Sequence, residues 1–458
     1  MLAFAGHSAT LARRRLLGGG AVNLATKTRE PALRIRTMED STWLRFFSIL
    51  ALYAGQGITQ GLVIFVIPAW MAANGVETAE IALAVGTMTA PWSIKFLVGL
   101  VIDRFTYLPM GRRKAWILVA QLVAVAGLLM LAFLDPAPSQ IMLVTVFMTI
   151  TNGAVAMQDV AIDALTVDIF PEEQRELAGG IAGGGQFLGV AAISALGGIA
   201  FAESGASAAF SLSALLLFCV LLNLLVVRER QGERLLPWTA GQASPINAGQ
   251  LNVSILAVVK SIFRTTFSRV SLSYLPVLFL RGLSYGTFVI LMPIVATQYV
   301  GWSEAELGAL NGTAQLAAAI LCISVGGYMA SRIGAQRWLL LLYLLLVAVW
   351  TWLLLEQGAW DQELTLYVVV IATLILFTFT VIGMTVINMR LCPPQAAASQ
   401  FALYAGINNI GVSGAGFIIG SFALLAEPAN MLGLMIGALS LGALVLFFAK
   451  YPTVQMAR

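Results

Sequence analysis

Stretches of about 20 apolar residues recur along most of this 458-residue chain, and they constrain the fold more than any other feature. A helix of that length crosses the hydrocarbon core of a bilayer with all its backbone polar groups bonded internally. Apolar side chains make up 59% of the residues and charged ones only 10%, against about 25% charged in a soluble domain. We therefore expect an integral membrane protein built from helices, and a soluble fold is excluded.

The apolar runs number about twelve when they are separated at charge clusters and turn residues. We number these predicted spans 1 to 12 in chain order. Their centres lie near Ile58, Ala90, Val125, Ala154, Gly189, Leu217, Val289, Ala318, Leu345, Leu376, Gly411 and Leu441. An even number of crossings returns both termini to the same side of the membrane.

Lys and Arg residues fall almost entirely in alternate connections between the spans. They precede span 1, occupy the connections 2/3, 4/5, 6/7, 8/9 and 10/11, and follow span 12. The remaining connections carry acidic residues and no Lys or Arg. By the positive-inside rule this alternation predicts that both termini are cytoplasmic. It also accounts for the net charge of +4, and basic residues spread over alternate loops argue against a nucleic-acid surface.

The two halves of the chain resemble each other in sequence. The segment 75–87 matches 301–313 at an offset of 226 residues, and Gly57 matches Gly282 at an offset of 225. Six spans separate the two copies, so both have the same orientation, as in parallel repeats. The sequence therefore predicts an all-α membrane protein with 12 transmembrane helices in two parallel-repeat six-helix bundles, an architecture of alternating-access transporters.

These features divide the chain into five predicted segments. They are a basic cytoplasmic arm at 1–43, expected to be disordered, an N-terminal six-helix bundle at 44–228, a cytoplasmic linker at 229–273, a C-terminal six-helix bundle at 274–450 and a cytoplasmic tail at 451–458. A true start at Met38 would remove most of the arm, and this alternative stays open.

Four ionisable residues lie inside the apolar spans: Lys95, Asp159, Asp163 and Arg281. Each would cost about 2.5–3.5 kcal/mol at a helix centre facing lipid, so we expect them to face an interior or a cavity. Asp159 and Asp163 are four residues apart and share one helix face, which Asn152 extends. Lys95 and Asp159 lie at similar depths, about 12 Å and 13.5 Å from the ends of their spans, so they can form an ion pair.

Two interpretations of these charges stay open. A carboxyl group in a poorly hydrated site can take up and release protons as a cavity alternates sides, which makes Asp159, Asp163 and Lys95 candidate proton-coupling residues. Alternatively, Lys95 and Asp159 form a static pair that locks spans 2 and 4 together. Arg281 stays charged and binds carboxylate or phosphate in a forked geometry, so it is a candidate anion receptor, unless an internal acid such as Asp163 pairs with it.

Further polar side chains on spans 1, 4, 5, 7, 10 and 11 complete a candidate binding site. Many are amides, which suit a ligand rich in hydroxyl and amide groups such as an amino sugar, although a single amide more often bonds to a neighbouring helix. The candidate substrate-binding residues are Tyr53, Gln56, Gln60, Asn152, Gln186, Arg281, Ser284, Tyr285, Asn388, Asn408 and Asn409.

The connection between spans 2 and 3 reads Gly99-Leu-Val-Ile-Asp-Arg-Phe105 and, after five residues, Gly111-Arg-Arg-Lys114. This interrupted signature, preceded by Pro91-Trp-Ser-Ile-Lys-Phe96, resembles the major facilitator superfamily and, within it, the AmpG muropeptide permease branch, which is related to acetyl-CoA transporters. A second match to that branch is Gln158-Asp-Val-Ala-Ile-Asp-Ala164 followed by Asp168.

The resemblance implies a secondary transporter that imports anhydro-muropeptides with protons across a bacterial inner membrane, with Asp159 and Asp163 matching the branch's acids. The implied partners are a bulky, polar, anionic small molecule, protons and the lipid bilayer, and a monomer is expected. Charged residues at the cytoplasmic ends of spans 2 to 4 are expected to form a gating latch that favours the outward-open state: Asp103, Arg104, Arg112, Arg113 and Asp168.

Other functions of the same fold stay open. The substrate could be another bulky anion, such as an acyl-CoA-like molecule or a siderophore, or the protein could be a non-transporting membrane assembly factor. An enzyme is not expected, because the single histidine is His7 and no Ser or Cys beside a base is visible. The three scattered cysteines predict no metal site, and no cofactor is expected. We expect the glycine-rich run 178–185 to serve close helix packing rather than phosphate binding.

Overall fold

The computed structural model describes residues 37–249, 255–392 and 397–452. Within these residues eleven helical stretches are long and apolar enough to cross a membrane. The longest, Glu172–Val226, contains two crossings, because Gly205 has a φ of +81° and interrupts the helix. Glycine adopts this left-handed conformation without a Cβ clash. The predicted all-helical fold with twelve crossings is therefore confirmed.

We number the membrane helices α1 to α12 in chain order. Their bounds are α1 Thr42–Ala73, α2 Thr78–Thr89 continued by Lys95–Arg104 after a 3-10 turn at Ala90–Ser93, α3 Lys114–Leu134, α4 Ile141–Ile169, α5 and α6 before and after Gly205 within Arg175–Val226, α7 Arg269–Val300, α8 Glu304–Ile333, α9 Ala335–Leu355, α10 Glu363–Leu391, α11 Ala397–Ser421 and α12 Pro428–Phe448.

The segment between α6 and α7 contains two shorter helices. One is Pro245–Gly249, and the other is Ile255–Thr266, which we call the linker helix. Most of the predicted arm (residues 1–36) and most of the predicted tail (453–458) lie outside the described residues. The described end of the arm meets the start of the linker, where the N–H of Met38 donates to the carbonyl of Arg228 at 2.9 Å.

The internal repeat is visible as two matching helix crossings. A Cβ atom on Gly57 of α1 would lie 2.1 Å from the carbonyl oxygen of Gln186 on α5. At the equivalent crossing, a Cβ on Gly282 of α7 would lie 1.9 Å from the carbonyl oxygen of Asn408 on α11. Only glycine fits at such distances, so the backbones of the two helices touch. The first and fifth helices of each half therefore cross in the same way, as two parallel repeats require.

The two halves meet closely at the end where α2 and α8 begin. There the backbone of α5 approaches that of α8 at Gly198 and Gly308, and the backbone of α2 approaches that of α11 at Gly86 and Gly416. At the opposite end, the first turns of α5 have open space where Cβ atoms would lie, at Gly179, Gly180, Gly183 and Gly184. The space between the halves is thus closed at one end and widens toward the other.

The same observation corrects the expectation for the glycine-rich run 178–185. Within it, Gly185 packs against a helix backbone, since its Cβ would lie 2.6 Å from the carbonyl oxygen of Leu50 on α1. The four glycines of the preceding turns have no such neighbour in this conformation. Of these four, Gly183 lines the cavity described below, and none of them tightens a helix crossing here.

We expect Gly57→Ala and Gly282→Ala to lower the stability of the folded chain by about 1–3 kcal/mol each, because the added methyl must push two backbones apart. The measurement is thermal unfolding of the purified protein in detergent. The matched control is Gly437→Ala on α12, where the added methyl meets open space. Equal unfolding temperatures for Gly57→Ala and Gly437→Ala would contradict the tight crossing.

Candidate functional site

A cavity of about 430 Å³ lies between the two halves, a size typical of small-molecule sites. Residues of α1, α2, α4 and α5 line it from the first half, and residues of α7, α8, α10 and α11 line it from the second. Lys95 and Asp159 are part of its wall. Nine of the eleven predicted substrate-binding residues also line it: Gln56, Gln60, Asn152, Gln186, Arg281, Tyr285, Asn388, Asn408 and Asn409.

Lys95 and Asp159 form an ion pair on the wall of the first half. The Lys95 Nζ lies 2.5 Å from Asp159 Oδ2, and the two side chains are 12% and 5% exposed. The other carboxylate oxygen accepts a hydrogen bond of 2.8 Å from Gln56 Nε2. Both oxygens of Asp159 therefore have partners, one from α2 and one from α1, which fixes α4 against both helices.

The second acid of α4, Asp163, lies one turn beyond Asp159 and is held by Tyr53. The Tyr53 hydroxyl donates to Asp163 Oδ1. Neither residue lines the cavity. Contrary to the prediction, Tyr53 does not face a substrate in this conformation, because its hydroxyl is directed at the carboxylate.

Trp92 is a cavity residue that the candidate list did not contain. Its ring lies under Lys95, with the Nζ 4.9 Å from the ring centre, a cation–π geometry. Its indole N–H donates to Asn152 Oδ1 at 3.0 Å, and the Asn152 amide donates to the Met88 carbonyl at 2.7 Å. The Asn409 amide of the other half donates to the Trp92 carbonyl at 3.3 Å. The motif around Pro91 contains this tryptophan, and that motif was the available signal.

Arg281 provides a cation on the wall of the second half. Its guanidinium donates to Thr380 Oγ1 and to the Phe377 carbonyl, both at 3.1 Å, and to Asn408 Oδ1 at 3.4 Å. The rings of Tyr285 and Phe377 each lie 5.1 Å from its central carbon. Among the described residues no acid forms an ion pair with it, so the alternative of a pair with Asp163 is not realised here.

Ser284 does not line the cavity, contrary to the prediction. It lies on α7 close to Arg281 in sequence but faces the interior of the second half. Its hydroxyl donates to the Leu280 carbonyl at 3.0 Å and to the Met435 carbonyl at 3.3 Å. The hydroxyl therefore joins α7 to α12, the more common role of a serine in a membrane helix.

Three buried amide oxygens on the cavity wall have no hydrogen-bond partner in the described part of the chain. They are Gln56 Oε1, Gln315 Oε1 and Asn388 Oδ1, on residues no more than 5% exposed. Buried acceptors without a partner are unfavourable, so these three oxygens are ready to accept N–H or O–H groups of a ligand. Gln315 was absent from the candidate list. The available signal was the residue type, because Gln315 is an amide inside a predicted span, like the amides on the list.

Two of the predicted latch residues, Arg113 and Asp168, meet at the end where the cavity widens, whereas Arg104 is exposed and its side chain bonds to none of the described residues. Arg113 Nε lies 3.2 Å from Asp168 Oδ2, and Arg230 of the linker donates to the Asp168 carbonyl at 2.9 Å. The backbone of Arg112 meets the linker, whereas the side chain of Asp103 lies outside the described part. The pair of Arg113 and Asp168 forms within the first half, between the 2/3 connection and α4.

Glu229 of the linker organises this region, although no sequence pattern marks it as a candidate. Its carboxylate accepts the backbone N–H groups of Arg112, Arg113 and Lys114, at 2.9, 2.9 and 2.5 Å. These are free donors at the first turn of α3, where a carboxylate is favourable. Burial raises the pKa of Glu229, and the three N–H donors act in the opposite direction. Gly111 leaves the necessary room, because a Cβ there would lie 2.4 Å from the carboxyl carbon.

Comparison with known proteins agrees with this geometry. A family model of the Major Facilitator Superfamily matches residues 47–416. The chain belongs to this superfamily. It is 24% identical over 399 residues to the anhydromuropeptide permease of Escherichia coli K12, which covers 83% of this chain and 76% of the permease. The family predicted from the loop and span 4 motifs is therefore confirmed, and the chain is a membrane transporter rather than an enzyme.

Solved structures show the same fold. The chain superposes on a D-xylose–proton symporter with a TM-score of 0.65 at 10% identity, covering 90% of this chain and 98% of that structure. It superposes on a peptide transporter in complex with alafosfalin with a TM-score of 0.63 at 15% identity, covering 88% and 94%. At these identities the likeness concerns the fold alone.

We expect Lys95→Met to lower the stability by about 3 kcal/mol or more, because it leaves the buried Asp159 without its cation. The double variant Lys95→Met/Asp159→Asn removes both charges and should regain most of that loss. Thermal unfolding is measured for the unmodified protein, Lys95→Met, Asp159→Asn and the double variant. This double-mutant cycle gives the coupling energy between the two side chains. If the two single losses simply add in the double variant, the ion pair does not contribute to stability.

Proposed function

We propose that this transporter imports anhydro-muropeptides together with protons across the inner membrane of a bacterium, by alternating access. The observation that carries the proposal is a cavity with separated charges. One wall holds an arginine without an acidic partner among the described residues, and the other holds a lysine–aspartate pair. The 24% identity to the anhydromuropeptide permease supports the choice of substrate.

Arg281 is proposed to bind a carboxylate of the substrate's peptide. It is 7% exposed, and its guanidinium is held between two aromatic rings by Thr380 and the Phe377 carbonyl. A guanidinium in a fixed orientation binds a carboxylate through two parallel hydrogen bonds. An incoming carboxylate would also provide the negative charge that this buried cation lacks.

The amides of the cavity are proposed to bind the amino sugars and peptide bonds of the same substrate. The free oxygens of Gln56, Gln315 and Asn388 accept N–H and O–H groups. Gln60 and Gln186 are bonded to each other at 2.7 Å across α1 and α5, and they can exchange this bond for ligand contacts. A site with so many acceptors rejects apolar ligands, because their binding would leave buried polar groups unpaired.

Asp159 and Asp163 are proposed to carry the coupled proton. Protonation of Asp159 would weaken its bond to Lys95, which would free the lysine and the Gln56 amide for the substrate. A proton could pass between the two acids, because they lie one helical turn apart on α4 and Asp163 is bonded to the Tyr53 hydroxyl. The alternative is a static Lys95–Asp159 pair, and the experiment below separates the two.

The end where the cavity widens is proposed to face the cytoplasm. It is the end of the clustered Arg and Lys residues, which the positive-inside rule places on the cytoplasmic side, together with both termini. The structure then corresponds to an inward-facing conformation. The pair of Arg113 and Asp168 is formed here within one half, in the proposed inward-facing conformation. The proposed latch therefore fixes the 2/3 connection against α4 rather than bridging the halves, and the pair is not restricted to the outward-open state that the latch was expected to favour.

The test of the substrate and of coupling is uptake of labelled GlcNAc-anhydroMurNAc-peptide by permease-deficient cells that express this chain. We expect accumulation that a protonophore abolishes, and loss of accumulation in Asp159→Asn. The matched control is Ser284→Ala, which changes a hydroxyl near Arg281 outside the cavity and should retain uptake. Because Asp159→Asn also breaks the bond to Lys95, exchange of labelled for unlabelled substrate in the absence of a gradient is measured as well. Exchange should persist in Asp159→Asn if Asp159 carries the proton, and loss of exchange together with accumulation would support the static pair instead.

The test of Arg281 compares the natural substrate with an analogue whose peptide carboxylates are amidated. Arg281→Gln should raise the KM for the natural substrate by about tenfold or more, because a charge-assisted bidentate bond is lost. It should change the KM for the amidated analogue far less. An equal loss for both substrates would indicate that Arg281 only supports the packing of α7 against α10.

Asp168→Asn tests the proposed latch. Loss of the charge on Asp168 should weaken its bond to Arg113 and lower the rate of uptake at normal expression, with a smaller effect on KM. Glu172→Gln, which removes an exposed acid on the turn after α4, is the control. Wild-type transport by Asp168→Asn would show that the latch has no role in the cycle.

Absence of uptake at normal membrane expression would refute the muropeptide proposal while leaving the fold intact. Another bulky anion is then the next candidate, because Arg281 and the amides suit anionic and amide-bearing ligands in general. A non-transporting assembly factor is disfavoured by the buried charges of the cavity, which a scaffold has little reason to retain.

A further inference from the structure

The linker helix, Ile255–Thr266, carries an apolar stripe along one face. Positions 255, 259, 262, 263, 266 and 267 follow the helical spacing of that face, and apolar residues occupy all of them except Thr266. At its C-terminal end the helix is fastened to the second half, where the Gln400 amide of α11 donates to Thr266 Oγ1 at 3.2 Å. This bond joins the C-terminal end of the linker helix to α11, next to the start of α7.

Part of the apolar stripe is not covered by the protein. Phe263 is 64% exposed and Phe267 is 58% exposed, and their rings lie 4.4 Å apart. Two neighbouring exposed aromatic rings form an apolar patch that water does not favour. Ile262 and Thr266, on the adjacent side of the stripe, are partly buried against the protein.

Basic residues surround this patch. Lys260 and Arg264 of the linker helix and Arg269 at the start of α7 are exposed, and no partner for their side chains is present among the described residues. No Asp or Glu occurs between Glu233 and Glu304 in the sequence. The segment is thus purely cationic next to an exposed aromatic pair, directly before a membrane helix.

We propose that the linker helix lies in the membrane interface and binds anionic phospholipid headgroups, with Phe263 and Phe267 inserted between the acyl chains. An amphipathic helix with aromatic residues on one face and Lys or Arg on the other binds membranes by both apolar burial and attraction to anionic lipid. Charge complementarity calls for an anionic partner, and the position of the patch directly before α7, which itself crosses the bilayer, selects a lipid headgroup over an acidic soluble protein.

The test places a nitroxide label on the full chain in single-chain nanodiscs, on a background in which Cys219, Cys322 and Cys392 are replaced by serine. One label is attached at Phe263→Cys and a matched label at Ser261→Cys, about half a helical turn away. The EPR signal of the label measures its collisions with oxygen, which is concentrated in the bilayer, and with a water-soluble nickel chelate. In discs containing phosphatidylglycerol, the label at 263 should collide with oxygen and be protected from the chelate. The label at 261 should show the opposite preference.

The lipid charge is then varied. We expect the protection at 263 to fall in discs of phosphatidylcholine alone and at high salt, because headgroup attraction is electrostatic. Lys260→Gln/Arg264→Gln should raise the fraction of phosphatidylglycerol needed for half-maximal protection by about tenfold or to beyond the measurable range. The control Arg332→Gln/Arg337→Gln removes two exposed cations, one from the last turn of α8 and one from the first turn of α9, and should leave that fraction unchanged.

Three outcomes would overturn the proposal. Equal protection in phosphatidylglycerol and phosphatidylcholine would remove the role of the anionic headgroup. Exposure of the label at 263 to the nickel chelate in all lipids would place the patch in water, free for a soluble partner. A label at 263 that is exposed in single-chain discs and protected in a parallel set of discs holding two chains would show that a second copy of the chain covers the aromatic pair.

Discussion

The ion pair between Lys95 and Asp159 is the interaction on which the arrangement of the first half depends. Two full charges in an apolar helical bundle are tolerated only when they neutralise each other and share further hydrogen bonds. Gln56 from α1 and the ring of Trp92 from α2 supply those contacts. Trp92 in turn positions Asn152, so the polar wall of the cavity follows from the need to satisfy one buried carboxylate.

Glycine determines where the helices of this protein can approach and where they can part. Gly57 and Gly282 bring the first and fifth helices of each half into backbone contact, and Gly198 with Gly308 does the same between the halves at the closed end. The glycines at the start of α5 meet nothing at the open end. Rigid halves with contacts of this kind at one end can rock about the cavity, because few side chains need to repack.

The helix count, the repeat and the buried charges could be predicted because each rests on a simple energetic rule. Apolar length and loop charge predict crossings, and the cost of a charge in lipid places Asp159 and Arg281 in an interior. The direction in which each side chain points within that interior was harder to predict. Ser284 and Arg281 are three residues apart, yet only Arg281 reaches the cavity, because the carbonyl groups of Leu280 and Met435 satisfy the serine hydroxyl.

Glu229 could not be predicted from any local pattern. It lies in a polar segment without periodicity, and its role depends on the unpaired N–H groups at the start of α3, more than 100 residues earlier in the chain. Only the folded chain brings these groups together. Gln315 was different, because an amide inside an apolar span is the same signal that selected the other candidate amides.

The repeat also explains why the two halves carry different chemistry. Gln56 and Arg281 occupy equivalent positions of α1 and α7, and each bonds to the fourth helix of its own half. In the first half that helix offers Asp159, and in the second it offers the neutral Thr380. A neutral amide beside an acid leaves the acid free to pair with Lys95, whereas a guanidinium beside a hydroxyl keeps its charge available. Two related helix pairs thus provide a lysine–aspartate ion pair on one wall and a guanidinium with neutral partners on the other.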